Sequence, residues 1–236
     1  MNSFKRRGLD SQTPWVTYSL VAVNVGIYLY MLLRYQTTQS VGALIDMGAK
    51  SNLHIVYGGE WWRLITAAFL HIGFEHLLFN NLTIYFIGID LEKLMGSGRF
   101  LMLFLIASIG GNLFSFALNT NVSAGASTGI FGLFVAYIIL SRMYPSSYGL
   151  QQRAASFSIL IILNIISGIF GSNIDNWGHI GGAVFGGLIT LVLGLGKRYR
   201  TDIENSKRIA AGLSLIALGA VLAVWGYFSV TQGRWF

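Results

Sequence analysis

The stretch SAGASTGIFG, residues 123–132, decides how the fold of this chain is read. Gly125, Ser127 and Gly129 form a G-x-S-x-G pattern, which in soluble α/β-hydrolases presents an exposed nucleophilic serine. Here the pattern lies among long apolar segments, where small residues commonly allow helices to pack closely. The stretch therefore raises two questions: whether the chain lies in a membrane, and whether Ser127 is a nucleophile or a packing residue.

Composition and apolar runs predict an all-α, polytopic membrane protein. Of the 236 residues, 54% are hydrophobic and only 11% are charged, unlike an ordinary soluble domain. A helix needs about 20 apolar residues to cross a bilayer. Six runs approach or exceed that length: 15–33, 101–120, 125–141, 154–172, 178–196 and 209–230. A seventh span is predicted over 76–89, extending to 94, because apolar residues surround its polar positions.

The distribution of Lys and Arg predicts the orientation of these spans. With seven spans and a cytoplasmic N-terminus, twelve of the 16 cationic residues lie inside and four outside, as the positive-inside rule requires. The inner set is Lys5, Arg6, Arg7, Lys93, Arg99, Arg142, Arg153, Lys197, Arg198, Arg200, Lys207 and Arg208, and the outer set is Arg34, Lys50, Arg63 and Arg234. We therefore predict a cell (plasma) membrane location in a lipid bilayer. No nucleic-acid partner is predicted, since the cations are spread over short loops.

This topology brings four polar residues to one depth. Spans two, four and six run inward, so His76, Asn80, Ser127 and His179 all lie near the outer ends of helices. Ser127 to Leu140 spans about 20 Å at ~1.5 Å per residue, against a hydrocarbon thickness of about 30 Å. Ser127 is thus expected roughly 10 Å below the outer surface, in a site that opens to the external side. A cluster of polar side chains at that depth indicates a function.

Acyl transfer is the chemistry that these residues can perform. The Ser127 hydroxyl needs a base, which His179 can supply, and a helix beginning at Ser127 directs free N–H groups at an attacked carbonyl. His76 and Asn80 are four residues apart on one helix face and can donate to the same oxyanion. Asp175 would complete a triad, but its position favours an exposed cap of the sixth span. A Ser–His dyad is therefore predicted.

Two further patterns are given structural interpretations. Gly182 and Gly186 have the GxxxG spacing that packs helices, here span six against span four. HIGFEH approximates a zinc motif, but His71 and His76 would lie about 140° apart on a helix and could not share a metal. Neither a metal nor a cofactor is predicted.

The segments GASTG, HLLFN and DNWGHIGGAVFGG, each opening a predicted span, together resemble the rhomboid intramembrane serine proteases. EWWRLITAAFLH and EKLMGSGRF add to the resemblance, which covers about 59–196. It implies a six-transmembrane-helix core, of the bacterial type, with an extra C-terminal helix. The predicted organisation is a cytoplasmic segment 1–14, a catalytic domain 15–196 with an outer loop at about 34–75, a basic loop 197–208, and a seventh helix with an external tail over 209–236.

The resemblance also assigns roles. Ser127 is implied to be the nucleophile, His179 its general base, and His76, Asn80 and the Ser127 backbone the oxyanion site. The neighbours Trp62 and Arg63 match the structural W-R pair of the family, and Phe131 occupies a position that stacks under the His179 ring. Thr128 stands where the family commonly has glycine, and is expected to narrow the cavity without removing activity.

The predicted function is therefore an intramembrane serine endopeptidase whose substrates are transmembrane proteins with a single span. Two alternatives are a catalytically silent relative that binds transmembrane helices, and a transporter. A silent relative normally lacks the serine or the histidine, and both are present here. A transporter should show internal repeats or broken helices at the bilayer midplane, and the sequence shows neither.

Overall fold

The computed structural model describes residues 13–170, 174–195 and 203–234 of the chain. The described part contains ten α-helices, one 3₁₀ helix and no strand, so the predicted all-α class is confirmed. The helices are α1 (Trp15–Tyr35), α2 (Val41–Asp46), α3 (Asn52–Val56), α4 (Arg63–Thr66), a 3₁₀ turn (Ala67–Phe69), α5 (Phe74–Met95), α6 (Ser97–Leu118), α7 (Ser127–Met143), α8 (Tyr148–Phe170), α9 (Asn176–Leu193) and α10 (Asn205–Thr231).

Several of these helices suit a membrane. Within the described ranges, α1, α6, α9 and α10 are long and apolar enough to cross one, and α7 is a shorter apolar helix. The chain is a multi-pass membrane protein. Its seven-span topology stays a prediction, and part of the charge argument lies outside the described residues: Lys5, Arg6, Arg7, Lys197, Arg198 and Arg200.

The seven predicted spans correspond to the seven long helices α1 and α5–α10. The weakest prediction, at 76–89, corresponds to α5, a helix of 22 residues. Its polar residues Asn80 and Asn81 are buried against other helices, which explains why they interrupt the apolar pattern without ending the helix. The outer loop holds the short helices α2, α3 and α4, which the sequence did not predict.

The core is centred on α6, α7 and α9. Its largest cluster of buried side chains includes Phe100, Phe104, Leu133 and Ile189, contributed by these three helices. Glycines allow the helices to approach closely: a Cβ placed on Gly110 would lie 2.0 Å from the Phe185 ring. Large apolar side chains on the outer helices are exposed, as lipid-facing residues are: Leu33, Ile159, Ile162, Leu213, Ile216 and Val221.

The C-terminal helix α10 is part of the packed structure. A second cluster of buried residues joins Leu222 and Val230 of α10 to Phe116 of α6, Phe185 of α9 and Ile55 of the outer-loop helix α3. A Cβ on Gly226 would lie 2.4 Å from the Phe116 ring, so α10 lies directly on α6. The helix thereby supports both the core and the outer loop.

Candidate active site

Ser127 is the first residue of the short helix α7. Gly125, two residues earlier, has a φ of 142°, in the region that favours glycine. The N–H groups in the first turn of a helix have no acceptors within it. The half-buried Ser127 hydroxyl therefore lies beside free backbone donors at the point where α7 begins.

His179 reaches Ser127 from α9. Its Nε2 lies 3.0 Å from Ser127 Oγ, although the two residues are 52 positions apart in the chain. The ring stacks on Phe131, with centroids 4.2 Å apart and planes at 11°, and it is only 9% exposed. The stacking fixes the ring plane so that Nε2 points to the hydroxyl.

Asp175 does not contact the His179 ring. His179 Nδ1 has no hydrogen-bond partner among the described residues. The Asp175 carboxylate instead accepts hydrogen bonds from Gly178 N at 3.1 Å, Asn119 Nδ2 at 3.0 Å and Ser115 Oγ. The first of these caps α9 as predicted. The expectation that Asp175 is exposed is wrong, because the side chain is partly buried in this polar cluster.

His76 and Asn80 lie beside the loop that leads to Ser127. A Cβ placed on Gly125 would lie 2.9 Å from His76 Nε2 and 3.7 Å from Asn80 Nδ2. The Ile72 N–H donates to His76 Nδ1 at 3.4 Å, which leaves the proton of a neutral ring on Nε2. Asn80 Nδ2 is buried and has no acceptor within the described part of the chain. The structure thus places two side-chain donors next to the start of α7.

His71 lies beside the site, and the sequence-based prediction of its position relative to His76 was wrong. It lies in the turn before α5, so the helical angle used to separate it from His76 does not apply. The two rings are in edge contact, with centroids 5.4 Å apart. Burial, reinforced by His76, lowers the pKa of His71 to about 3, so this ring is neutral at physiological pH. His71 therefore packs behind His76 as an uncharged ring.

Close glycine contacts bring α9 onto α7. A Cβ on Gly182 would lie 2.0 Å from the carbonyl oxygen of Thr128, and one on Gly186 would lie 2.3 Å from Gly132 Cα. Thr128 itself is buried, with its side chain against Gly111 of α6 and Gly178 of α9. The Thr128 side chain therefore packs between these helices, and its effect on the cavity stays a prediction.

The Trp62–Arg63 pair organises the outer loop. The Arg63 guanidinium is buried and donates to the carbonyl oxygens of Ile45 at 2.6 Å and Ala49 at 3.0 Å. It also pairs with Glu60 and lies 4.8 Å from the centre of the Trp62 ring. Arg63 therefore holds the backbone of the loop between α1 and α5 through two hydrogen bonds and an ion pair.

Comparison with known proteins shows which family the chain resembles. A family model described as "Rhomboid domain" matches residues 58–196. Rhomboid protease GluP of Bacillus subtilis (strain 168) is 37% identical over 216 residues, covering 92% of this chain and 41% of GluP. Putative rhomboid protease YdcA of the same organism is 32% identical over 181 residues, covering 76% and 88%. Rhomboid protease AarA of Providencia stuartii is 28% identical over 201 residues, covering 75% and 71%. The chain thus spans less than half the length of GluP.

Proposed function

This chain belongs to the rhomboid family, and from that premise we propose that it is an intramembrane serine endopeptidase. The observation that carries the proposal is the 3.0 Å contact between Ser127 Oγ and His179 Nε2, with oxyanion donors beside it. Relatives named as rhomboid proteases support the same class of activity. The proposed catalytic unit is a dyad, because the Asp175 carboxylate bonds elsewhere.

In the proposed reaction, Ser127 Oγ attacks the carbonyl carbon of the scissile peptide bond while His179 Nε2 takes the hydroxyl proton. The Ser127 N–H, Asn80 Nδ2 and His76 Nε2 stabilise the oxygen that becomes negative. His179 then gives its proton to the leaving amine as the C–N bond breaks. Water attacks the acyl-enzyme with His179 again as base, which releases the second product and restores the serine.

The proposed substrates are single-span membrane proteins with an external N-terminus. A peptide bond inside a continuous transmembrane helix is shielded, since its carbonyl is hydrogen-bonded within the helix. Because Ser127 lies near the outer end of the bundle, attack is restricted to the outer part of a substrate span.

A model substrate tests this selectivity. We expect efficient cleavage when a Gly-Pro pair lies just below the outer membrane surface, because these residues weaken the helix by about 1 and 3 kcal/mol. The measurement is mass spectrometry of the products as the pair is moved along the span, with an all-Leu span as control. Equal cleavage with the pair at the cytoplasmic end would contradict the proposed access from outside.

The proposed orientation is testable on α10, whose ends lie on opposite sides of the membrane. The parent chain has no cysteine, so single cysteines can be introduced without background. Ser206 and Gln232 are exposed near its two ends. We expect an impermeant maleimide to label Gln232→Cys on intact cells, and Ser206→Cys only after permeabilisation. The reverse pattern would overturn the cytoplasmic assignment of the N-terminus and the external opening of the site.

A further inference from the structure

Lys50 is a buried cation that the proposed dyad does not use. It lies in the outer loop before α3, and its side chain has no solvent exposure. Its backbone pairs with Ser123, with Lys50 N donating to Ser123 O at 2.9 Å and Ser123 N to Lys50 O at 3.1 Å. A buried charge is costly unless it is well bonded, so its surroundings should show what holds it there.

The Lys50 ammonium binds the segment between α6 and α7 that leads to Ser127. Its Nζ donates to the carbonyl oxygens of Asn121 at 2.8 Å and Asn119 at 3.0 Å, and to Asn52 Oδ1 at 3.0 Å. A longer contact of 3.4 Å reaches the Ser115 carbonyl at the end of α6. All four acceptors are neutral oxygens. The buried Lys50 ammonium therefore links the end of α6 to the connection between α6 and α7.

The same cluster extends to the start of α9. Ser115 and Asn119, whose carbonyls bind Lys50, also donate their side chains to Asp175, with Asn119 Nδ2 3.0 Å from Asp175 Oδ1. Asp175 in turn caps α9 through Gly178 N, one residue before His179. Lys50 is thus linked, through two shared residues, to both elements that carry the dyad.

We propose that Lys50 is a positioning residue that keeps the Ser127 loop and the start of α9 in register. This inference rests on the proposed function, because the dyad is what it positions. Loss of the ammonium removes the donor to the carbonyl of Asn121, leaves the Asn119 carbonyl with the donor Asn52 Nδ2 only, among the described residues, and removes the charge that faces Asp175. We expect the loop to shift relative to His179, which slows acylation and leaves substrate affinity unchanged.

The pH profile of the unmodified protein gives a first test. Burial lowers the pKa of Lys50 to about 8, and Asp175 opposes part of that shift. Burial by itself raises the pKa of Asp175. The hydrogen bond from Ser115, the charge of Lys50 and the hydrogen bonds from Asn119 and Gly178 N lower it by more, so the pKa of Asp175 is below its ordinary value. At alkaline pH Asp175 is therefore ionised, and a histidine base is neutral and able to accept a proton. Neither group then accounts for a loss of rate in this range. We expect the rate of Ser127 labelling by a fluorophosphonate probe to fall reversibly above about pH 8.

Unfolding does not explain such a fall. The pKa of Lys50 is about 8 in the folded chain, against an ordinary lysine pKa of 10.5 in the unfolded chain. Between these values the unfolded chain binds more protons, so this group makes the free energy of unfolding increase with pH. A loss of labelling with the melting temperature retained therefore indicates displacement of the dyad. A labelling rate that stays constant through about pH 10 would overturn the proposal.

The matched variants are Lys50→Met, which keeps the length of the side chain, and Lys207→Met at an exposed site. We expect Lys50→Met to label about 10-fold more slowly at neutral pH, with an unchanged KM for the model substrate and no alkaline fall. Lys207→Met should match the unmodified chain. Full labelling of Lys50→Met, or a retained alkaline fall, would overturn the inference. If Lys50→Met does not fold, the pH profile of labelling in the unmodified chain tests the proposal by itself. Labelling of Ser127→Ala would instead refute the proposed function.

Discussion

Ser127→Ala is expected to abolish both fluorophosphonate labelling and cleavage of the model substrate, and His179→Ala to do the same. The nucleophile and its base act as one unit, so removing either leaves only the weak effect of the remaining site. Both variants should stay folded. The Ser127 hydroxyl is half-buried, and the His179 ring makes its one side-chain hydrogen bond, within the described residues, to that hydroxyl.

The matched control for the dyad is Asp175→Asn. In a Ser-His-Asp triad the corresponding change costs about 10⁴-fold in kcat, because the asparagine holds the histidine base in the wrong tautomer. Here the asparagine oxygen can still accept from Gly178 N, and His179 Nδ1 has no contact to lose within the described ranges. Labelling is therefore expected to stay within about 10-fold of the unmodified rate. A loss as large as that of His179→Ala would replace the dyad by a triad.

Gly182→Ala is expected to reduce labelling of Ser127 by at least about 100-fold, because a displacement of about 1 Å can have that effect on catalysis. The added methyl group would lie 2.0 Å from the carbonyl oxygen of Thr128, which is backbone and cannot move aside alone. Helix α9 must then separate from α7 and withdraw His179 Nε2 from Ser127. Overpacking of this kind also costs about 1–3 kcal/mol, so the melting temperature should fall.

Gly219→Ala is the control for this change. Gly219 faces α9 from α10, but its added methyl group would be 3.8 Å from the Phe185 ring, an ordinary van der Waals contact. Alanine is the better helix former by about 1 kcal/mol, so we expect an unchanged or higher melting temperature and full labelling. If Gly182→Ala labelled as fast as Gly219→Ala, close contact between α7 and α9 would not be required for the dyad.

The sequence predicted those parts of the structure that depend on local pattern. Backbone groups in lipid must be bonded within their own helix, so apolar length indicates where long helices lie. The start of α7 at Ser127 and the Asp175 cap of α9 follow from small and capping residues a few positions apart. The fold class and the positions of the long helices were accessible for this reason.

The parts that were missed depend on residues distant in the chain. Lys50 bonds to Ser115, 65 positions away, and Asn119 to Asp175, 56 positions away, so neither the burial of Lys50 nor that of Asp175 had a local signal. In the outer loop, Arg63 of α4 likewise donates to the carbonyl of Ile45 in α2, 18 positions away, and to that of Ala49, 14 positions away. His71 was misjudged because α5 begins only at Phe74, which leaves His71 outside the helix.

The separation of Ser127 from His179 has a consequence for biosynthesis. Chains are made from the N-terminus, so Ser127, the proposed nucleophile on α7, enters the membrane before His179, its proposed base on α9. A nascent chain inserted only as far as α8 carries the serine of the candidate site but no residue in the place of His179. The proposed dyad is completed only when α9 is inserted and Gly182 and Gly186 pack against α7. In the proposed mechanism, a chain that ends before α9 therefore lacks its catalytic base and is inactive.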